Sequence, residues 1–109
     1  LAMEKKWKIK IEKYQHVYRQ IIQEIEKYGF SSFTHTYTRS YGDQDLDASL
    51  LTLPIFNIGL NQERLKSTAN AILNQLVQNG LTYRYLFFND GLLGGEGTFG
   101  ACSFWMVEC

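Results

Sequence analysis

The sequence has 109 residues, a length that suits one domain with a modest hydrophobic core. Its 11 basic and 11 acidic side chains cancel, so composition gives no sign of a nucleic-acid or anionic-membrane partner. The hydrophobic share of 45% is too high for a disordered chain, yet no apolar run reaches the roughly 18 residues of a membrane span, and no secretory signal is visible.

A long amphipathic helix is predicted from Glu4 to Tyr28. Its apolar residues recur at steps of four and three, which places them on one helix face: Trp7, Ile11, Tyr14, Tyr18, Ile21, Ile25 and Tyr28. Gly29 follows at the position that commonly closes such a helix. Acidic residues interleave with the lysines of EKKWKIK, so we interpret these lysines as a solvated face and expect no nucleic acid or membrane to bind there.

Two shorter elements are predicted next. The segment FTHTYT, residues 33–38, alternates with period two, which is typical of a short extended segment, and YGDQD then turns the chain. A second helix is predicted after Asp47, whose carboxylate can cap the free amides of the first turn. Pro54 lacks an amide proton, so this helix is expected to kink or end near Leu53.

The third predicted helix begins at Asn61 and closes at Gly80. Its buried side is expected to consist of Leu65, Ala69, Ile72 and Leu76. The β-forming run LTYRYLFF and the following NDG then indicate a hairpin.

A last helix, Thr98 to Cys109, is apolar almost all round, which predicts packing on several sides. Because this apolar helix reaches the final residue without a stop signal, we expect the chain to be a fragment.

The two cysteines lie two turns apart on the last predicted helix. That spacing separates Cys102 from Cys109 by about 10 Å along the helix axis, whereas a disulfide tolerates roughly 7 Å between Cα atoms. We therefore expect reduced thiols, as in a cytoplasmic protein. No histidine lies at ligand spacing beside them, and His16 and His35 are interpreted as surface or packing residues. No metal and no cofactor are expected.

Carboxylates, one arginine and several aromatic residues are the side chains that could carry chemistry. Such a set suits a neutral polyhydroxylated ligand, because acids accept hydrogen bonds from hydroxyls, arginine donates, and aromatic faces pack on sugar rings. Its members are Asp43, Asp45, Asp47, Arg84, Asp90, Glu96, Tyr37, Tyr41, Tyr83, Tyr85 and Trp105.

A purely structural interpretation of the same residues remains open. Asp47 could only cap a helix, Arg84 could pair with a nearby carboxylate, and Glu96 could be stabilised at a helix N-terminus.

Three blocks of sequence, YGDQDLDASLLTLPIF, NGLTYRY and DGLLGGEGTFGACSFWMVE, resemble the glucoamylase and trehalase family of glycoside hydrolases, family 15, in its bacterial and archaeal members. The blocks match in order and spacing over residues 30–108. The resemblance implies a mainly α fold, in which residues 1–109 form part of a catalytic domain built as an (α/α)6 toroid. About four helices with short extended segments between them are expected.

The resemblance also implies an activity. The intact enzyme is expected to release glucose, with inversion, from an α-glucan or from an α-glucoside such as trehalose. The family's upstream Trp-Glu motif and its downstream acidic segment are not found in these residues. No catalytic residue is therefore assigned, both catalytic carboxylates are expected to lie outside residues 1–109, and the chain alone is expected to be inactive.

Candidate substrate-binding residues follow from the same resemblance. Arg84 matches a position at which fungal relatives use an arginine to contact the bound terminal glucose. Asp47 and Glu96 match positions at the pocket rim, and Tyr85 and Trp105 complete the set as aromatic faces.

Two further expectations concern partners. A partial ring of helices would expose apolar flanks, through which the chain is expected to self-associate. The alternative function is a non-catalytic helical module that binds a sugar or a protein.

Overall fold

Four α-helices and two small hairpins make up the described part of the protein. The computed structural model describes residues 2–85 and 97–109. In chain order the elements are α1 (Ala2–Tyr28), β1 (Phe30–Ser31), β2 (Thr36–Tyr37), a 3-10 helix (Ala48–Leu51), α2 (Thr52–Phe56), α3 (Gln62–Leu76), β3 (Val77–Gln78), β4 (Leu81–Thr82) and α4 (Gly100–Glu108). The predicted mainly helical chain with short extended segments is confirmed. Within the described ranges, no helix combines the length and apolarity needed to cross a bilayer.

The buried core consists of two clusters that share helix α3. The first cluster joins α3 to the 3-10 helix and to α4, and its buried members are Ala48, Leu51, Ile72, Leu76 and Cys102. The second cluster joins α3 to strand β2 and to the end of α1, with Tyr37, Leu60 and Leu65 buried and Ile22 and Ile25 packed against them. Helix α3 therefore holds the other elements together.

Helix α1 is attached to this core from Tyr18 onward, because the Tyr18 hydroxyl donates to the Ile58 carbonyl at 2.7 Å and Ile22 and Ile25 pack against the second cluster. Every side chain described from Lys10 to Ile21 is exposed. Residues 2–17 of α1 thus form an arm that projects from the core, and the chain measures 58 Å along its longest axis against 29 Å along the other two.

Glu26 anchors the last turns of α1. Its Oε1 accepts hydrogen bonds from the Tyr37 hydroxyl at 2.8 Å and from the Asn61 amide at 2.6 Å, and its Oε2 accepts one from Arg64 Nη1 at 2.7 Å. The Arg64 guanidinium also lies 4.2 Å from the centroid of the Phe30 ring. Burial, and next the hydrogen bond to Glu26, raise the pKa of Tyr37. One carboxylate therefore joins α1 to the first hairpin and to α3.

The first hairpin differs from the predicted extended segment. Strands Phe30–Ser31 and Thr36–Tyr37 pair antiparallel, and Phe33 and His35 lie in the turn between them. His35 has a φ of 56°, in the left-handed region. The period-two prediction is confirmed for Thr36–Tyr37 and wrong for residues 33–35, where local bonds support a turn, including one from the Thr34 amide to a serine hydroxyl at 3.3 Å.

Asp47 caps a helix as predicted. Its Oδ1 accepts a hydrogen bond from the Ser49 amide at 2.8 Å, at the start of the 3-10 helix. Of the predicted kink or end near Leu53, the end is wrong, since α2 continues to Phe56. The helix does change from 3-10 to α geometry between Leu51 and Thr52. Pro54 is tolerated because it lies in the first turn of α2, where a backbone amide has no helical acceptor.

The third predicted helix is confirmed, with a shorter C-terminal end. Asn61 Oδ1 accepts from the Arg64 amide at 3.1 Å and caps α3. The helix ends at Leu76, whereas Gly80, with a φ of 77°, lies in the turn between β3 and β4. Strand β4 pairs with β3. The predicted hairpin at NDG lies outside the described residues.

The last helix is less enclosed than its composition predicts. In α4 only Cys102 is buried, while Phe104 and Val107 are 75% and 83% exposed. Among the described residues, α4 contacts the 3-10 helix, α2 and β4. These contacts leave Phe104 and Val107 exposed, so the predicted burial almost all round the helix is not found there. Neither Cys102 nor Cys109 is in a disulfide bond, in agreement with the expected reduced thiols.

Candidate functional site

The candidate site is centred on an ion pair between Asp47 and Arg84. Arg84 Nε donates to Asp47 Oδ2 at 3.3 Å. The main chain supports the same contact, because the Ala48 amide donates to the Arg84 carbonyl at 2.8 Å. The start of the 3-10 helix and the segment after β4 are therefore joined through both side-chain and backbone atoms.

The two partners of this ion pair differ in burial. The Asp47 side chain is 4% exposed, and its two oxygens accept from the Ser49 amide and from Arg84 Nε. The Arg84 side chain is 51% exposed. Among residues 2–85 and 97–109, the structure gives neither Arg84 Nη group a hydrogen-bond partner. Asp47 thus holds the Nε edge of the planar Arg84 guanidinium.

The segment that carries Arg84 also lies against the start of α4. Tyr83 forms an isolated antiparallel bridge with Thr98. The residue before Tyr83, Thr82, makes two hydrogen bonds to the same region. Its carbonyl accepts from the Phe99 amide at 3.1 Å, and its amide donates to Ser103 Oγ at 2.9 Å. The described parts of the three sequence blocks therefore converge at one place in the fold.

Aromatic side chains lie next to this point of convergence. The Arg84 Cζ atom is 5.4 Å from the centroid of the Tyr85 ring, a cation–π distance. Trp105 is half-buried and packs against the first core cluster, which includes Ala48. The structure thus brings Asp47, Arg84 and Tyr85 together and attaches Trp105 to the same core. Glu96 lies outside the described residues.

Other members of the predicted polar set lie in separate networks. Asp43 and Asp45 pair with Arg39 Nη2 at 2.6 and 3.3 Å, and Tyr37 belongs to the Glu26 network. Asp90 lies outside the described residues. In the part of the chain that the structure describes, no three His, Cys, Asp or Glu side chains are grouped so as to hold a metal ion.

Sequence reasoning recognised Asp47 and Arg84 and missed Ser103. Both structural alternatives for the first two residues are confirmed, because Asp47 caps a helix and Arg84 pairs with a carboxylate. These contacts use Nε of Arg84 and, among residues 2–85 and 97–109, neither of its Nη groups. Ser103 holds the Thr82 amide from 21 positions away. Its only sequence signal was one polar residue within the apolar run ACSFWMV.

The turn before Asp47 gives a pH-dependent prediction. The Arg39 guanidinium, and then the amides of Asp45 and Gln44, lower the pKa of Asp43 from 3.8 to about 2. A carboxyl whose pKa is lower in the folded state stabilises the fold above its unfolded pKa. We expect the contribution of Asp43 to be lost as the pH falls from about 4 to about 2.

Urea unfolding of the wild type and of Asp43→Asn, measured between about pH 2 and pH 6, tests this expectation. The difference in unfolding free energy between the two proteins should shrink as the pH falls through this range. Asp45→Asn is the matched control, because the Asp45 side chain is 68% exposed and more distant from Arg39. A difference that stays constant with pH would contradict the prediction.

Comparison with known proteins gives one family and a consistent set of relatives. The family model described as "Glycosyl hydrolases family 15" matches residues 3–109. A trehalase of Thermoplasma acidophilum is 35% identical over 99 residues, which cover 90% of this chain and 17% of the relative. A trehalase of Mycobacterium tuberculosis is 38% identical over 102 residues, covering 87% and 15%. A trehalase of Mycolicibacterium smegmatis is 44% identical over 74 residues, covering 65% and 11%.

The chain therefore spans between 11% and 17% of the length of these relatives. No solved structure gives a significant match.

Proposed function

The chain belongs to glycosyl hydrolase family 15, and from this membership we propose that it forms part of the sugar pocket of a trehalase-like α-glucosidase. The similar relatives named above are trehalases, which favours trehalose over a longer α-glucan as the substrate. We propose that the described helices are one part of an (α/α)6 toroid. Cysteines outside disulfide bonds are in keeping with a cytoplasmic location, which we also propose.

One observation carries the proposal: the three sequence blocks converge on a half-exposed guanidinium whose orientation is fixed. Arg84 is held by Asp47 Oδ2 at one edge and by the Ala48 amide at its carbonyl. Its Nη groups can donate to the hydroxyl oxygens of a sugar, and the adjacent Tyr85 ring offers a face on which a sugar ring can pack.

The proposed roles differ among the candidate residues. We assign direct sugar contacts to Arg84, Tyr85, Trp105 and Glu96. Asp47 is assigned as a positioning residue, because its carboxylate is buried and both of its oxygens are already hydrogen-bonded within the protein. The general acid and the general base of an inverting hydrolase stand about 6.5–9.5 Å apart, and both are proposed to lie outside residues 1–109.

The experiment that tests this function is the hydrolysis of trehalose by the intact protein, followed by proton NMR. Trehalose contains two α-linked anomeric carbons, and an inverting enzyme changes the configuration of only the one that water attacks. We therefore expect equal early amounts of α-glucose and β-glucose, before mutarotation mixes them. The 109-residue chain alone serves as the control and should release no glucose.

Three results would contradict the proposal. Early release of α-glucose alone would indicate retention of configuration. Binding of trehalose by the intact protein without glucose release would favour the non-catalytic module. Glucose release by the 109-residue chain would place catalytic groups within it.

A further inference from the structure

Thr82 is joined to the start of α4 by both of its main-chain polar groups. Its carbonyl accepts from the Phe99 amide at 3.1 Å, and its amide donates to Ser103 Oγ at 2.9 Å. Phe99, the residue that precedes α4, lies one helical turn from Ser103 and on the same face. Two residues on one face of the helix therefore hold the peptide groups on both sides of Thr82.

The two bonds differ in what the sequence must supply for them. The first turn of an α-helix presents free amide donors, whereas its carbonyls accept bonds within the helix. The backbone at the start of α4 can therefore bind the Thr82 carbonyl, but a side-chain oxygen is needed to accept from the Thr82 amide. Thr82 is 1% exposed, so its amide has no access to water. This requirement explains the serine within the apolar run ACSFWMV.

We propose that Ser103 is a positioning residue for the Arg84 guanidinium, an inference that rests on the proposed sugar-binding role of Arg84. Arg84 follows Thr82 by two positions in the chain. Between them, the Tyr83 amide donates to the Leu76 carbonyl at 2.8 Å. The Ser103 hydroxyl thus fixes the start of a short segment whose end carries the guanidinium.

The neighbouring residue on α4, Cys102, connects the same helix to the other half of the ion pair. Cys102 is fully buried in one core cluster with Ala48, which belongs to the 3-10 helix that Asp47 caps. Helix α4 therefore packs on the element of Asp47 through Cys102 and binds the segment of Arg84 through Ser103. Because both contacts come from one helical turn, α4 sets the position of the Arg84 segment relative to the Asp47 carboxylate.

The Ser103 bond constrains Arg84 from a side that its other contacts do not cover. Asp47 and the Ala48 amide both belong to the start of the 3-10 helix, and they hold Arg84 at its Nε and at its carbonyl. Without the Ser103 hydroxyl these contacts remain, but the buried Thr82 amide loses its acceptor and the segment can shift away from α4. A displacement of about 1 Å at a binding group can cost about 100-fold in rate, so a partial shift is measurable.

A double-mutant cycle in the intact protein tests the proposal. Ser103→Ala removes the acceptor, and we expect kcat/KM for trehalose to fall about tenfold. In an Arg84→Ala background the same substitution should change kcat/KM by less than about twofold, because the side chain through which Ser103 acts is already absent. Ser103→Thr keeps a hydroxyl oxygen and should show nearly wild-type kinetics. Ser103→Cys keeps the size of the side chain with a weaker acceptor, so the cycle can be repeated with it if the alanine variant does not fold.

Hydrogen exchange of the same proteins, followed by mass spectrometry, reports on the bond itself. The peptide that contains Thr82 should exchange faster in Ser103→Ala than in the wild type, and as slowly as the wild type in Ser103→Thr. Thr68→Val is the matched control, because Thr68 on α3 also accepts from a buried strand amide, that of Tyr37, at 2.9 Å with its side-chain oxygen. It should lower stability as Ser103→Ala does and leave kcat/KM unchanged.

The inference and the proposed function fail in different proteins. The proposed function fails in proteins that retain Ser103, if the wild type releases no glucose or if Arg84→Ala has unchanged kinetics, and the assignment of Ser103 then fails with it. The inference alone is overturned if Arg84→Ala is impaired while Ser103→Ala keeps wild-type kinetics, or lowers kcat/KM equally in both backgrounds. A loss in Thr68→Val as large as that in Ser103→Ala would also overturn it, because such a loss would indicate a general effect of stability.

Discussion

Arg84→Ala in the intact enzyme is expected to lower kcat/KM for trehalose by about 100- to 1,000-fold. Two hydrogen bonds from a charged donor to a ligand contribute together about 3–4 kcal/mol, and each 1.36 kcal/mol corresponds to a tenfold change in rate. The backbone path at residue 84 should persist, because the Ala48 amide binds a carbonyl that alanine retains. Loss of the cation beside the buried Asp47 carboxylate should lower the free energy of unfolding by about 1–3 kcal/mol, which leaves the domain folded. Steady-state kinetics, together with circular dichroism of the variant, provide the measurement.

Two further variants separate ligand binding from general electrostatic effects. Arg84→Lys keeps the positive charge but not the planar fork, so we expect activity between that of the wild type and that of the alanine variant. Arg19→Ala removes an exposed arginine from α1 and should leave kcat/KM unchanged. Unchanged kinetics in a correctly folded Arg84→Ala variant would remove Arg84 from the site.

Glu26→Ala is expected to lower the free energy of unfolding of the 109-residue chain by about 3 kcal/mol. The substitution leaves the buried Tyr37 hydroxyl and the Arg64 Nη1 group without the carboxylate that accepts from both. Hydrogen bonds to a charged group contribute about 1.5–3 kcal/mol, and the partly exposed Glu26 carboxylate accepts three of them. Domains are typically stable by about 5–15 kcal/mol, so the loss is a large fraction of the total.

Urea denaturation followed by circular dichroism measures this loss. Glu12→Ala is the matched control, since it removes an exposed glutamate from the same helix and should change the unfolding free energy by at most about 0.5 kcal/mol. Equal effects of the two substitutions would mean that the Glu26 network does not anchor α1.

The elements that could be predicted from the sequence are those specified by neighbouring residues. Helix α3 combines an apolar stripe of period 3.6 with the capping residue Asn61, and both signals lie within one segment. The cap by Asp47 is equally local, since its acceptor oxygen binds an amide two residues further on. The family could also be recognised, because each sequence block is contiguous.

Features that depend on distant partners could not be predicted in this way. Glu26 binds Asn61 and Arg64, which are 35 and 38 positions away, and nothing in the local sequence around Glu26 indicates this. The exposure of Phe104 and Val107 depends on which elements reach α4, whereas composition reports only that these side chains are apolar. For the same reason, the sequence indicated that Asp47 and Arg84 belong to one candidate set, but it could not indicate which edge of the Arg84 guanidinium binds Asp47.

The bond from the Ala48 amide to the Arg84 carbonyl has a consequence for evolution. This hydrogen bond fixes the backbone at position 84 through main-chain atoms, which nearly every amino acid has. A substitution of residue 84 can therefore change the side chain without moving the backbone. Homologous proteins can therefore differ in ligand preference at this position while they keep the same fold.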